Sequence, residues 1–374
     1  MQEKHHRLQI LKFNFYGLLK NLRFFEPFMI IYFIQGGLDL FLVGLLFSIR
    51  EIVIYIFEIP SGVIADRYGK KTELIFCFMF YILSFFLFFI ANGFLLYAFA
   101  MFFFALGEAF RSGTHKAMIM TYIDHHDLKA SKTKIYGMTR SYSLIGSMIA
   151  SIVSIFLVLW LPEIRYLFLV AILPYVIDLM MVLTYPNYLN EKRDSVFTMK
   201  AFLKNNFQSI GYSFKTKDVR KAIFNSGSYQ AVFKSIKDYV QPILLAATGT
   251  LIVFSQFSEE QNTKIYIGII YALIYFLSAF ASRNAYRFNK YGEPKTLIRY
   301  MWFATGLALF ILSYQLNNMV IVFLAFVVIY MIMNIRKPIM IELIGDVTDE
   351  DKRATVLSVE AQTASILIAI FAPL

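Results

Sequence analysis

Cysteine is almost absent from this chain: Cys77 is the single one among 374 residues, and it lies inside an apolar run, so disulfides have no share in the fold. Charge is scarce as well, at 16% of residues against about 25% in a soluble globular protein. Histidine is limited to His5, His6, His115, His125 and His126, and no HExxH pair, nucleophile elbow or Walker loop occurs. These absences argue against a disulfide scaffold, an enzyme and an ATP-driven machine, and they leave no cofactor to expect. What fills the chain is apolar: 58% hydrophobic residues, 40 of them Phe and 16 Met. No water-facing surface could hide so many, and the fold class that follows is an all-α polytopic membrane protein.

The apolar runs predict its helices. No charge interrupts Leu74 to Gly107, with Asn92-Gly93 between its halves, and Tyr300 to Ile335 repeats the pattern around Asn317-Asn318. A membrane-spanning helix needs about 20 apolar residues, so each run makes two spans and a tight turn. Such lengths are unlike the alternating strands of a barrel. Eleven helices are predicted, near 19–36, 39–64, 73–91, 94–122, 134–160, 164–185, 221–245, 264–282, 295–315, 319–340 and 354–374. The first 18 residues place Lys4, Arg7 and Lys12 between apolar positions and predict an interfacial amphipathic helix rather than a signal peptide. From Asn187 to Arg220 the composition turns polar. The expected division is a six-helix bundle over 1–186, a solvated linker over 187–220 and a second bundle over 221–374.

The net charge of +11 follows membrane sidedness. With the N-terminus inside, 27 Lys and Arg fall on the cytoplasmic side and 2, Arg165 and Lys264, on the other. Cytoplasmic loops carry such an excess. A plasma-membrane protein with a cytoplasmic N-terminus, bilayer lipid as its surroundings and no nucleic-acid partner is expected, most simply as a monomer.

An internal repeat crosses the linker. Tyr68-Gly69 through Leu74-Ile75 aligns with Tyr291-Gly292 through Leu297-Ile298, and Asp66-Arg67 faces Asn289-Lys290. Arg111 and Asp124 likewise align with Arg336 and Asp349. Two parallel six-helix repeats are implied. The counterpart of the sixth helix would fall at roughly 385–406, so the twelfth helix is expected to be missing from this chain.

Gly62-Val-Ile-Ala-Asp66-Arg67-Tyr-Gly69-Lys70-Lys71 resembles the loop signature of the major facilitator superfamily, and Glu58-Ile-Pro60-Ser-Gly62 and Arg353-Ala-Thr-Val-Leu-Ser358 are similar to further segments of it. The resemblance implies the superfamily's fold, two pseudo-symmetric six-helix bundles, and alternating-access transport without enzymatic chemistry. It also implies that Gly62, Asp66, Arg67, Gly69, Lys70 and Lys71 form a gate, with Asp66 near the start of the eleventh helix around Arg353. The superfamily's antiporter pattern in the fifth helix is absent, and Gly146 there reads as a packing residue.

Charges inside spans are costly and usually face a cavity or a partner. Glu108, Arg111 and His115 recur on one face of the fourth helix, and Gln230, Lys234, Lys237, Asp238 and Gln241 make a stripe on the seventh. In the superfamily's fold both helices line the central cavity. Two readings stand: a basic cavity for a small anionic or zwitterionic solute, or structural ion pairs such as Glu108–Arg111 and Lys234–Asp238. Glu51 and Asp178 are candidates to carry a coupling proton. Asp124-His125-His126-Asp127 reads as a solvated loop rather than a metal site, and Trp160 and Trp302 as interfacial anchors among mostly lipid-facing aromatics. Efflux of hydrophobic compounds and lipid translocation by the same fold remain the alternative functions.

Overall fold

Where apolar sequence leaves the backbone no water to bond, each run must close its own N–H···O=C ladder as a helix. The computed structural model describes residues 2–111, 114–126, 132–190, 211, 215–237, 239–248, 256–284, 287–288, 292–316, 318–348 and 353–373, and among them it is helical almost throughout, with no strand. The helices gather into two units, Met1–Val196 and Phe197–Leu374.

In the first unit α1 (Gln2–Leu19), a 3-10 turn (Glu26–Phe28) and α2 (Met29–Gln35) precede α3 (Leu40–Tyr68), α4 (Lys70–Ile90), α5 (Phe94–Arg111), α6 (Thr114–His125), α7 (Lys132–Trp160) and α8 (Tyr166–Leu183). Asp39 caps α3 by accepting the Leu42 N–H at 2.8 Å. Gly69 joins α3 to α4 at φ +97°, where glycine bears no strain, and a Cβ there would collide with Asn190. α4 packs against both α5 and α8, α3 against α5, and α1 against α7.

The N-terminal segment departs from expectation. Instead of lying along an interface, α1 is drawn into the unit: Phe13 and Tyr16 are fully buried, and Gln9 and Asn14 nearly so. The Lys12 ammonium donates to Thr184 Oγ1 at 2.8 Å, beyond the last turn of α8, while Tyr32 of α2 packs on Phe168 near its first turn. Thus α1 and α2 run end to end along α8, and residues 20–25 between them break the helix about halfway. A continuous helix over 19–36 does not form, because Pro27 opens a new turn there and the Lys20 carbonyl and the Arg23 side chain bond to Tyr175 of α8 instead. Burial of Phe13 and Tyr16 outweighs the pull of an interface, and the long Lys12 stem lets its charge reach a hydroxyl.

Glycines let α1 and α7 meet. A Cβ on Gly17 would stand 2.7 Å from the Thr139 carbonyl oxygen, and one on Gly146 would run into the Leu18 backbone. Nor do the aromatics mostly face outward: Phe25, Phe28, Phe33, Phe85 and Phe88 are buried, and Phe25 stacks on Phe168 with centroids 4.5 Å apart. Phenyl rings fill the space between helices more fully than branched aliphatics would, while Phe156, Phe303 and Tyr314 keep to the outside.

The second unit comprises α9 (Lys217–Lys237), α10 (Val240–Thr248), α11 (Glu259–Arg283), α12 (Pro294–Tyr314), α13 (Met319–Asp346) and α14 (Arg353–Phe371). Ser258 and Gln261 close a capping box on α11, and Asn318 caps α13. α9 lies on α14 and α13, and α13 also packs on α11 and α12, around Ile335, Ile339, Val356 and Val359. Trp302 is no interfacial anchor. It packs on this core, and its indole N–H donates to Asn225 Oδ1 at 3.2 Å.

Eight helices among the described residues are long and apolar enough to cross a membrane. Of the eleven expected, the broken first crossing and the charge-bearing α9 fall outside that set, and in α14 only Val359–Phe371 is apolar enough.

The α1–α7 contact is testable. Gly146→Leu should cost about 1–3 kcal/mol through overpacking, read as a lower thermal midpoint of the purified protein. Gly306→Leu, with open space around its Cβ position, should leave the midpoint almost unchanged.

Candidate functional site

The helix break brings charge to mid-span. A broken helix frees backbone carbonyls, and here side chains occupy them: Asn21 Nδ2 donates to the Gly17 oxygen at 2.6 Å and the Tyr175 hydroxyl to the Lys20 oxygen at 2.7 Å. From the same break Arg23 reaches across the unit. Its Nε donates to the Tyr175 hydroxyl at 2.7 Å and its Nη2 lies 2.5 Å from Glu108 Oε1. Glu108 Oε2 is 2.6 Å from Arg111 Nη2, one turn further along α5. The Tyr81 hydroxyl completes the cluster, donating to Glu108 at 2.7 Å while accepting from Arg23 and Arg111 at 3.2 Å each.

One carboxylate therefore stands between two guanidiniums, and the cluster keeps one formal positive charge in excess. Tyr81 and Tyr175 lie halfway along α4 and α8, and Glu108 and Arg111 stand in the last turn of α5. Side-chain exposure is 15% for Arg23 and 16% for Glu108 but 30% for Arg111. The cluster thus opens to the surface of the unit at Arg111. Arg23, Tyr81 and Tyr175 were not among the residues singled out by sequence. Arg23 had a signal, one of three charges (Lys20, Arg23 and Glu26) just before Pro27 at the head of an apolar run; the two tyrosines, among 24 in the chain, had none.

His115 leaves this group. It begins a separate helix, α6, stacks on Tyr16 at 3.5 Å between centroids and shares a 3.3 Å hydrogen bond with the Tyr185 hydroxyl. Glu51 is buried and sits 3.1 Å from Arg50. Asp178, on α8 one turn beyond Tyr175, is fully buried, and neither carboxylate oxygen has a hydrogen-bond partner. His125 stacks on Tyr188 and His126 shares a 2.8 Å hydrogen bond with its hydroxyl.

The stripe expected on the seventh helix divides. Gln230 of α9 donates to Glu360 of α14, whose Oε1 also accepts from Ser226 at 2.5 Å. Gln241 of α10 is buried and donates to the Tyr271 hydroxyl of α11 at 3.2 Å. Lys234 and Lys237 lie between these two, half-buried, and Asp238 is outside the described residues. The face is split because α9 ends at Lys237 and the chain continues in a second helix. Arg336, aligned by the repeat with Arg111, is fully buried: its guanidinium donates to the Asn225 carbonyl at 3.1 Å and covers the Tyr229 ring at 4.1 Å.

Of the loop signature, Gly62 is exposed with no atom within 4 Å of its Cβ position, whereas Gly69 lies close against Asn190. Arg67 lies over Tyr68, Lys70 donates to Thr121 at 3.0 Å, and Lys71 binds the Asn190 side chain through its N–H and the Tyr185 carbonyl through Nζ. Lys70 thus ties α4 to α6, and Lys71 ties it to the segment after α8. The side chains of Asp66 and Arg353 are outside the described ones.

Stacked helices long and apolar enough to cross a membrane, with their charges paired inside the unit, define a multi-pass membrane protein. The family model described as Major Facilitator Superfamily matches residues 21–373, and the chain belongs to that superfamily. An uncharacterized MFS-type transporter, YxaM of Bacillus subtilis (strain 168), is 38% identical over 90 residues, a stretch covering 24% of this chain and 23% of that relative. The fold is similar to that of the nucleoside transporter NupG (TM-score 0.78, 14% identity, 97% of this chain and 89% of that one). It is also similar to a POT family transporter in complex with 5-aminolevulinic acid (TM-score 0.71, 14% identity, 98% and 89%) and to a D-xylose-proton symporter (TM-score 0.72, 14% identity, 97% and 88%).

Removing the carboxylate should expose its structural share. Glu108→Gln leaves two buried guanidiniums without a counter-charge and should cost about 3 kcal/mol, seen as a large drop in thermal midpoint. Glu163→Gln, in an exposed pair 54% open on the acid side, should change it little.

Proposed function

We propose that this transporter moves a small organic solute bearing an acidic group, anionic or zwitterionic, across the plasma membrane by alternating access, with proton movement coupled to it. The observation that carries this is the Arg23–Glu108–Arg111 cluster, a mid-depth site with one positive charge in excess and Arg111 at its open edge. A carboxylate or phosphate on the solute can engage Arg111 through paired N–H donors, the geometry a guanidinium offers best. Lys234 and Lys237 of α9 are proposed as further cations for an acidic solute. The structural neighbour that holds 5-aminolevulinic acid, a zwitterion, and the neighbour that is a proton symporter have the same fold and support the class.

The protein is placed as a monomer with a cytoplasmic N-terminus and two repeat bundles joined by the 187–220 linker. In this reading Asp66 of the loop signature has a gating role on the cytoplasmic face. Asp66→Asn should slow transport while leaving solute affinity nearly intact, and spin-label distances across that face should report fewer closed molecules. Unchanged distances would count against the gate.

The class of solute is tested by uptake into proteoliposomes, with and without a pH gradient, from a panel of amino acids, dipeptides, nucleosides, pentoses, carboxylic acids and hydrophobic cations. Acidic or zwitterionic members should accumulate. Arg111→Gln should raise KM by about tenfold or more, the worth of a charge-assisted hydrogen bond, and Lys234→Ala and Lys237→Ala should weaken uptake without loss of folded protein. Wild-type kinetics in all three, or transport of the hydrophobic cations or of labelled phospholipid alone, would overturn the anionic-solute reading in favour of efflux or lipid translocation.

A further inference from the structure

The carboxylates inside the helical units differ in what answers them. Glu108 is held by two guanidiniums and a phenol, Glu51 by Arg50, Glu73 by the Thr114 hydroxyl at 2.5 Å and Glu360 by Ser226 and Gln230. Asp178 alone among the described carboxylates is fully buried with both oxygens unpartnered. An ionised carboxylate without hydrogen bonds in an apolar interior costs several kcal/mol. In the arrangement seen here the group fits as a neutral acid.

Its surroundings hold the means to change that. From α1 and the break come Tyr16, whose buried hydroxyl is also unpartnered, and Lys20, whose Nζ lies 5.3 Å from the Tyr16 ring centre. α4 brings Cys77, the segment after α8 brings Tyr185, and Arg111 and His115 lie beyond Tyr16 and Lys20. α7 adds no titratable neighbour among the described side chains. Lys20 is the charged group in electrostatic reach of Asp178. It sits where the helix breaks, its N–H bonded to the Tyr16 oxygen and its own oxygen to the Tyr175 hydroxyl, while its side chain makes no hydrogen bond among the described residues.

We propose that Asp178 carries the exchangeable proton of this transporter, alternating between the neutral acid of this structure and a carboxylate paired with the Lys20 ammonium. The step balances simply. Asp178–COOH beside Lys20–NH3+ releases one proton to water and becomes a carboxylate–ammonium pair, so the site passes from one positive charge to none. Forming the pair draws the break, and with it α1, towards α8. Because Arg23 leaves the same break for Glu108, proton release and the solute cluster are mechanically joined. This assignment rests on the reading of proton-coupled transport above.

The test needs no solute. Infrared spectra of the purified wild type in lipid nanodiscs at neutral pH should contain the carbonyl stretch of a protonated carboxyl. That band should shift when aspartate is labelled with carbon-13 at its side-chain carboxyl, vanish in Asp178→Asn and persist in Glu163→Gln. The labelling decides the matter on the wild type even where Asp178→Asn folds poorly. Lys20→Gln removes the counter-charge, so its band should survive to a proton concentration at least about tenfold lower than in the wild type, one unit of pH. A wild type without an aspartate carboxyl band, or a band unmoved by Asp178→Asn, overturns the assignment, and a Lys20→Gln titration matching the wild type overturns the pairing. Were pH-gradient-driven uptake present with no such band, Asp178 would be excluded and coupled transport would stand.

Discussion

A charge placed halfway along a stack of apolar helices must be answered by another group of the protein, because neither lipid tails nor phenyl rings can solvate it. In the first unit the Glu108 carboxylate meets that demand for two guanidiniums at once, and the arrangement of α4, α5, α8 and the helix break follows from it. Arg23 can reach Glu108 only because the helix stops at residues 20–25, and the break is tolerable only because Tyr175 and Asn21 take up the freed carbonyls. The Tyr81 phenol sits in the middle, donor to the acid and acceptor to both bases. A strong buried pair holds its helices in register; the excess positive charge it leaves is what a solute can use.

The second unit meets the same constraint by other means. Among the described residues Arg336 has no carboxylate at hydrogen-bond distance; it is answered by the Asn225 carbonyl and amide oxygens and by the faces of Tyr229 and Trp302. Glu360 in turn is bound by neutral donors, Ser226 and Gln230. An ion-paired cluster around Glu108 in one unit, and neutral donors and acceptors around Arg336 and Glu360 in the other, answer buried charge in different ways.

Much of this was legible beforehand, for reasons visible in particular residues. Leu74 to Gly107 has no charge to stop a helix and one Asn-Gly to turn it, and α4 and α5 form there. Arg111 and Glu108 pair because they stand three residues apart on one helix, a spacing that suffices by itself. The exclusion of His115 was not legible: its spacing suits the same face, yet α6 begins at Thr114 as a separate helix and the ring stacks on Tyr16 of a distant segment. The polar stripe over Gln230 to Gln241 looked single for the same reason, since periodicity assumes a helix that does not end at Lys237.

Sequence by itself determined the class of protein. Apolar runs, the Gly62–Lys71 signature and the two-fold repeat are local patterns, and local patterns suffice where every helix must satisfy its own backbone. Which charges meet was decided only by tertiary structure. Arg23 and Glu108 are 85 residues apart, and Lys20 and Asp178 further still. Their encounter depends on α1 being buried against α7 and α8 rather than lying at an interface, a choice made by the packing of Phe13, Tyr16, Gly17 and Gly146. That packing is a sum over many weak contacts between remote segments, and no spacing along the chain encodes it.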